Sequence, residues 1–122
     1  MQIAIVTLSD RCAAGQMEDR SGPALAALAL ELFPEAALAN EILPDDQARL
    51  TARLMELADA GKQLILTTGG TGLGPRDRTP EATRAALDRE APGLAELMRA
   101  EGMKQNKFAA SRAASLECAD RR

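Results

Sequence analysis

The sequence predicts an α/β protein with a mostly parallel central sheet. Apolar runs typical of strands alternate with stretches of helical periodicity, in the order strand, helix, strand, helix, strand. The stretch Gln63–Thr68 has a continuous apolar centre, which suits a strand covered on both faces. The 122 residues suffice for one domain and are too few for two. Parallel strands joined by right-handed crossovers are therefore expected.

The first strand is predicted at Gln2–Leu8, a run rich in β-branched residues, and a polar loop follows over 9–20. A helix is expected to begin at Ser21, a residue type that caps helices, with Pro23 in its first turn. Pro34 marks the end of this helix. One leucine stripe recurs along it at helical spacing and is predicted to face the core: Leu25, Leu28 and Leu32.

A weaker strand is predicted at Leu38–Leu43, and a turn begins at Pro44. Asp45 is suited to capping the helix that follows. That helix is indicated by a second stripe and ends before Gly61; the stripe consists of Leu50, Leu54 and Leu57. The third strand is Gln63–Thr68, and further helices are expected from Thr79–Pro80 and from Pro92. Beyond Phe108 the chain shows no β-like run.

Composition excludes several classes of function. Histidine is absent, which rules out Ser-His-Asp and Cys-His catalysis and any metal site with a histidine ligand. The net charge of −3 and the two phenylalanines, without Tyr or Trp, argue against nucleic-acid binding. Two cysteines cannot build a structural zinc site alone. No apolar run is long enough to span a membrane, and the first residues lack the basic region of a signal peptide, so a cytoplasmic location is expected.

The loops that follow the three strands are expected to meet at one edge of the sheet. In a parallel sheet, every strand-to-helix loop leaves at the carboxyl ends of the strands, where open α/β sheets bind ligands. These loops cover 9–20, 44–46 and 69–79, and polar residues are concentrated in them: Asp10, Arg11, Asp19, Asp45, Asp46, Arg76, Asp77 and Arg78. The candidate site is therefore placed at this edge.

The loop after the third strand is rich in glycine, with four glycines between Gly69 and Gly74. It lacks both the Gly-Lys-Ser/Thr ending of a P-loop and the spacing of a dinucleotide fold. Clustered glycines let backbone N–H groups approach an anion, and the helix that begins at Thr79 favours a phosphate beside it. The alternative is a loop that needs glycine only for positive φ angles.

The acidic residues near these loops have two interpretations each. Asp77 is either an ion-paired surface carboxylate between two arginines or a ligand of Mg²⁺ beside substrate phosphates. Asp45 is either a helix cap or a functional carboxylate. Asp10 and Arg11 form either a structural pair or a phosphate contact. Cys12 is interpreted as a packed small residue, since no histidine is available to activate it as a nucleophile.

The order of these motifs resembles the molybdopterin adenylyltransferase family (MogA/MoaB-type molybdenum cofactor biosynthesis proteins). The most specific stretch reads Thr-Gly-Gly-Thr-Gly-Leu-Gly-Pro-Arg-Asp-Arg-Thr-Pro-Glu, starting at Thr68. Similar positions are found in six segments: Ile5–Arg11, Asp19–Pro23, Leu43–Asp46, Leu66–Thr83, Ala91–Leu94 and Ser111–Arg112.

The resemblance implies a three-layer α/β/α fold and transfer of AMP from Mg-ATP to the terminal phosphate of molybdopterin, with release of pyrophosphate. It implies that Asp45 and Asp77 are the catalytic carboxylates and hold the Mg²⁺. The implied substrate-binding residues are Ser9, Asp10, Arg11, Thr68, Gly69, Gly70, Thr71, Gly72, Ser111 and Arg112. A homo-oligomer, with a trimer favoured, and a molybdate-inserting partner enzyme are also implied, with no nucleic-acid or membrane partner.

Residues 1–112 are expected to form the molybdopterin-binding domain. Family members continue with another strand and a Pro-Gly loop, whereas residues 113–122 show neither and are set apart as a divergent tail. This departure motivates an alternative function, a pterin- or nucleotide-binding scaffold without turnover, and a third reading, a nonfunctional remnant.

Overall fold

The computed structural model describes residues 1–70, 74–87, 89–90, 92–105 and 117–118. The described strands are β1 (Gln2–Leu8), β2 (Ala37–Leu43), β3 (Leu64–Thr68), β4 (Arg89–Glu90) and β5 (Glu117–Cys118). The described helices are α1 (Asp10–Ala13), α2 (Ser21–Leu32), α3 (Gln47–Asp59), α4 (Thr79–Ala86) and α5 (Pro92–Met103). The predicted order of strands and helices up to α4 is confirmed, with the short α1 as an addition within the expected polar loop.

The main sheet has the strand order β2-β1-β3, and both pairings are parallel. Ile3 lies opposite Leu38 on one side and Leu64 on the other, so β1 is the central strand. Its residues from Ile3 to Leu8 are all buried, as expected for a strand covered on both faces.

Helices cover both faces of this sheet and make three layers, which confirms the predicted fold class. On one face, Ile3 and Ile5 pack with Ala29 of α2. The other face carries the larger cluster, in which alternate residues of β1 meet α3 and α4: Ala4, Val6, Leu8, Leu50, Leu54, Leu57, Ala82 and Ala86. The leucine stripe predicted for α3 is thus confirmed as core.

The leucine stripe predicted for α2 is wrong in its phase. Leu28 and Leu32 are 51% and 66% exposed, and only Leu25 of the stripe packs against the core cluster. The buried positions of α2 are Gly22 and Ala29. Small side chains let the helix approach the sheet closely, and because nearly every position of α2 is apolar, the spacing of its leucines does not distinguish the inner face.

Two predicted helix caps are also corrected. Ser21 is the first residue of α2 and makes no cap, whereas the Asp19 carboxylate accepts a hydrogen bond from the Gly22 N–H at 3.1 Å. The N-cap of α3 is Asp46, which accepts from the Arg49 N–H at 3.0 Å. Asp45 therefore does not cap this helix, since the carboxylate of Asp45 accepts from the Asp10 N–H instead.

A second sheet pairs β4 with β5 in antiparallel fashion. The strand β5 has two residues and lies within 113–122, the segment for which the sequence predicted no strand. Among the helices of the described residues, none combines the length and the apolar character needed to cross a membrane.

Candidate functional site

The candidate site lies at the carboxyl ends of the three parallel strands. The chain leaves β1 toward α2 on one face of the sheet and leaves β3 toward α4 on the other face. Since β1 and β3 are neighbours, their loops meet at this edge, beside a crevice lined by Leu8, Asp45, Arg76 and Thr79. The edge that the sequence predicted is therefore the edge that holds the crevice.

The glycine loop begins with two residues in the left-handed region, Gly69 at φ +90° and Gly70 at φ +63°. A Cβ on Gly69 would overlap the carbonyl oxygen of Leu8, and a Cβ on Gly70 would overlap Oγ1 of Thr79. Both glycines are therefore needed for backbone conformation and close approach. The other predicted loop residues, Thr71 and Gly72, lie outside the described part of the chain.

Thr79 fastens the glycine loop to the start of α4. Its buried hydroxyl donates to the Gly69 carbonyl at 2.9 Å, and its N–H donates to the Gly70 carbonyl at 3.2 Å. The loop and the amino-terminal end of α4 are thereby held side by side, an arrangement that favours anions because helix N-termini carry partial positive charge. Sequence reasoning named Thr79 only as the start of a helix.

Asp10 and Asp45 bind each other's backbone. The Asp45 N–H donates to Asp10 Oδ1 at 3.0 Å, and the Asp10 N–H donates to Asp45 Oδ2 at 3.2 Å. The second oxygen of Asp45, Oδ1, is buried and has no hydrogen-bond partner among the described residues. It lies 3.4 Å from the position that a Cβ on Gly70 would take, so it faces the glycine loop.

Arg76 completes this group and was missed by the sequence analysis as a site residue. Its guanidinium forms a two-pronged ion pair with Asp10, with Nε 2.7 Å from Oδ2 and Nη2 3.1 Å from Oδ1. The Arg76 hydrogen bond, followed by that from the Asp45 N–H, holds the pKa of Asp10 below its usual value. Asp10 thus pairs with Arg76 across the crevice rather than with its exposed neighbour Arg11.

Asp77 is half-buried, and its Oδ2 accepts from the Gly74 N–H at 3.0 Å. The arginines on either side of it are directed elsewhere, since Arg76 reaches Asp10 and Arg78 Nε donates to the Pro75 carbonyl at 3.4 Å. The ion pair with its neighbours that the sequence allowed is therefore not the contact formed. Asp77 instead shapes the turn that leads from the glycine loop to α4.

The remaining predicted residues have structural contacts or lie outside the described ranges. Ser9 caps α1, since its Oγ accepts from the Cys12 N–H at 3.2 Å. Cys12 is buried, which agrees with a packing role. Thr68 is the last residue of β3 and pairs with Thr7. Ser111 and Arg112 lie outside the residues that the structure describes.

A small cleft at this edge combines carboxylates and guanidinium groups on an apolar floor. Its lining residues are Leu8, Asp45, Asp46, Gln47, Leu50, Arg76, Arg78 and Thr79. Within the described ranges, no cluster of three or more acidic or cysteine side chains is arranged to enclose a metal. A cation held by one or two carboxylates, with water and phosphate oxygens as the other ligands, is the kind that such a site suits.

The family described as "Probable molybdopterin binding domain" matches residues 4–120. A molybdopterin adenylyltransferase of Haemophilus influenzae is 45% identical over 101 residues, which are 81% of this chain and 51% of the relative. A solved structure of MogA superposes on this chain with a TM-score of 0.91 at 33% identity, and the superposition covers 99% of this chain and 79% of that one. MoaB of Thermus thermophilus gives 0.83 at 42% identity, with 97% and 74% covered.

The predicted resemblance is therefore confirmed. The match at 4–120 also extends eight residues past the boundary predicted at 112. The chain spans about half the length of the adenylyltransferase relative.

Proposed function

Because the chain belongs to the family of probable molybdopterin-binding domains, we propose that it acts in molybdenum cofactor biosynthesis as a molybdopterin adenylyltransferase. Its substrates would be ATP and molybdopterin, and its products adenylylated molybdopterin and pyrophosphate. The observation that carries this proposal is the buried Oδ1 of Asp45, which has no hydrogen-bond partner among the described residues, faces the glycine loop and shares a cleft with Arg76. The name of the 45% identical relative supports the same activity.

The residues present fit a magnesium ion. Asp45 offers a buried carboxylate oxygen without a partner in the described residues, and Asp77 offers a second carboxylate, whose Oδ2 accepts from the Gly74 N–H. Mg²⁺ prefers such hard oxygen donors and keeps several waters and phosphate oxygens. When bound, the ion would neutralise charge on the transferred phosphate and on the leaving pyrophosphate.

The reaction needs no nucleophilic side chain. A terminal phosphate oxygen of molybdopterin attacks the α-phosphorus of ATP, the new P–O bond forms, and the bond from the α-phosphorus to the bridging oxygen breaks. Pyrophosphate leaves with that oxygen and its electron pair. Because positioning and charge neutralisation supply most of the catalysis in such transfers, a chain without histidine is compatible with it.

The protein groups divide this work by position. The glycine loop, held by Thr79 at the start of α4, would present backbone N–H groups to the acceptor phosphate. Asp45 and Asp77 would face the nucleotide phosphates through the cation. The arginines of the cleft, Arg76 and Arg78, add positive charge near both substrates.

The test is release of pyrophosphate from Mg-ATP on addition of molybdopterin. We expect release by the wild-type chain that depends on both substrates and is abolished by EDTA. Binding of molybdopterin without release, measured by calorimetry on the same preparation, would contradict the enzymatic proposal and favour the scaffold alternative. If the chain shows no binding of molybdopterin and no cooperative thermal transition, it is the nonfunctional remnant.

We also propose a homo-oligomer, with a trimer favoured, and a molybdate-inserting enzyme as the partner that receives the product. Light scattering on a sizing column measures the mass of the assembly, and a mass equal to one chain of 12.9 kDa would contradict the oligomer.

A further inference from the structure

We propose that Asp10 is a positioning residue that orients Asp45, and that Arg76 in turn fixes Asp10. The consequence for turnover rests on the proposed function, whereas the orientation itself does not. The proposal revises the role that the resemblance implied for Asp10, which was direct binding of substrate.

Asp10 and Asp45 are joined by a reciprocal pair of hydrogen bonds, at 3.0 Å and 3.2 Å. The bond from the Asp10 N–H occupies Oδ2 of Asp45, and the two oxygens of a carboxylate share one rigid plane. With Oδ2 held, the direction of Oδ1 is set toward the glycine loop, and this oxygen has no partner in the part of the chain that the structure describes. The orientation of Asp45 therefore depends on where the backbone and side chain of Asp10 lie.

Asp10 is itself held by the Arg76 clamp, an ion pair with two hydrogen bonds. Its guanidinium reaches both oxygens of Asp10, at 2.7 Å and 3.1 Å, and a planar fork of this kind fixes the plane of the carboxylate as well as its distance. Since Arg76 lies 66 residues from Asp10 along the chain, the ion pair ties the loop of Asp77 to the end of β1. Through Asp10, this ion pair and the hydrogen bonds to Asp45 together link the segments that carry the two predicted catalytic carboxylates.

The negative charge and the existing contacts of Asp10 argue against direct binding of a substrate phosphate by this residue. Both of its oxygens already accept hydrogen bonds, three in all from two residues. Its carboxylate is engaged by the positively charged Arg76 guanidinium through both oxygens. A negative group repels a phosphate, and binding one would also require it to give up its protein partners. Asp10 is therefore suited to hold another protein group rather than the substrate.

The experiment separates these contacts with three variants. Asp10→Ala removes the acceptor for the Asp45 N–H and the partner of Arg76. Asp10→Asn keeps an oxygen for the Asp45 N–H but replaces the second oxygen with a donor that cannot pair with a guanidinium. Arg76→Met removes the clamp together with one positive charge of the cleft, at an exposed position. Glu101→Gln is the matched control, since it removes an exposed ion pair of 2.9 Å on α5.

The readout is the χ1 rotamer of Asp45, measured by NMR from the three-bond couplings of its Cγ to the backbone N and carbonyl C. We expect one rotamer in the wild type and in Glu101→Gln, rotamer averaging in Asp10→Ala, and intermediate values in Asp10→Asn and Arg76→Met. Wild-type couplings in Asp10→Ala would overturn the proposal. If that variant does not fold, wild-type couplings in both Arg76→Met and Asp10→Asn overturn it instead.

A second readout links the orientation to the site. The affinity for Mn²⁺, followed by electron paramagnetic resonance, is expected to fall about tenfold in Asp10→Ala, at the low end of the ~10–100-fold seen when residues that support metal ligands are lost. Pyrophosphate release should lose about tenfold or more in kcat, with KM for molybdopterin changed less than about twofold. A rise in KM with unchanged kcat would restore substrate binding as the role of Asp10. If the wild type neither binds Mn²⁺ nor releases pyrophosphate, the proposed function fails, and the couplings still decide the positioning role.

Discussion

Gly69 packs directly against the backbone of Leu8, so that the end of β3 and the end of β1 touch where the crevice begins. A Cβ at this position would overlap the Leu8 carbonyl oxygen, and the backbone is at φ +90°. Backbone cannot move aside as a flexible side chain can. The approach of the two strand ends therefore depends on the absence of a side chain at residue 69.

Replacement of Gly69 by alanine should destabilise the protein more than replacement of Gly15. Both glycines have positive φ, +90° and +73°, but nothing lies within 4 Å of a Cβ on Gly15. Gly15→Ala should cost about 1–2 kcal/mol of unfolding free energy from backbone strain alone. Gly69→Ala should cost about 1–3 kcal/mol more because it also overpacks the strand ends. Urea denaturation of the two variants measures the difference, and equal midpoints would contradict the close approach.

Asp45 and Asp46 are adjacent, but substitution of Asp46 should lower stability, whereas substitution of Asp45 should lower activity. Asp46→Ala removes the N-cap of α3 and should cost about 1 kcal/mol of stability. Asp45→Asn keeps an acceptor for the Asp10 N–H and should leave the melting temperature within about 2 °C while pyrophosphate release falls at least about a hundredfold. Thermal melts and the release assay on both variants check this. A large loss of stability in Asp45→Asn would return Asp45 to a structural role.

Asp77→Ala should lower turnover far more than binding of molybdopterin. If Asp77 acts on the nucleotide phosphates through the cation, its loss removes stabilisation of the transition state and leaves the pterin contacts in place. We expect kcat to fall by about 100-fold or more and Kd for molybdopterin to change by less than about threefold. Calorimetry and the release assay give the two quantities, and an equal loss in both would count against this role.

The phase of α2 can be tested with two leucines. Leu50 of α3 is 2% exposed, and Leu50→Ala should lose about 2–5 kcal/mol because it leaves a cavity in the core. Leu32 of α2 is 66% exposed, so Leu32→Ala should change stability by less than about 0.5 kcal/mol. Chemical denaturation measures both values. A loss of several kcal/mol in Leu32→Ala would show that this side chain is covered after all.

Acid should weaken the contact between Asp10 and Arg76. The pKa of Asp10 is lowered in the folded protein, first by the Arg76 hydrogen bond, so the folded state binds the proton less tightly than the unfolded chain. The stability from this group is therefore fully present above the ordinary value of 3.8 and is lost as pH falls through the lower folded pKa.

We accordingly expect the melting temperature of Asp10→Asn to lie below that of the wild type at pH 6 and to converge with it as the pH falls below the ordinary value of 3.8. Since both side chains of the ion pair are well exposed, the gap should be small and should narrow in 0.5 M salt. A gap that is independent of pH would contradict the ionic contribution.

The sequence by itself determined the order of strands and helices, the parallel sheet and the edge at which the site lies. Leu50, Leu54 and Leu57 could be assigned to the core because charged residues occupy the other side of α3 and leave one apolar face. In α2 the same reasoning failed at Leu28 and Leu32, since a helix that is apolar nearly all round has no face that spacing can select. The spacing of apolar residues thus predicts the buried face of a helix only where polar residues occupy the opposite face.

Only the tertiary structure decided the contacts between distant segments. The sequence could pair Asp10 with its neighbour Arg11, but Arg76 reaches it because β1 and β3 lie side by side and bring their loops together. Likewise, the sequence does not distinguish Asp45 from Asp46 as the helix cap. The structure does, because Asp45 exchanges hydrogen bonds with Asp10. Hydrogen bonds between segments 35 and 66 residues apart depend on strand order and on the direction of each loop, and neither quantity is encoded in the spacing of residues along one segment.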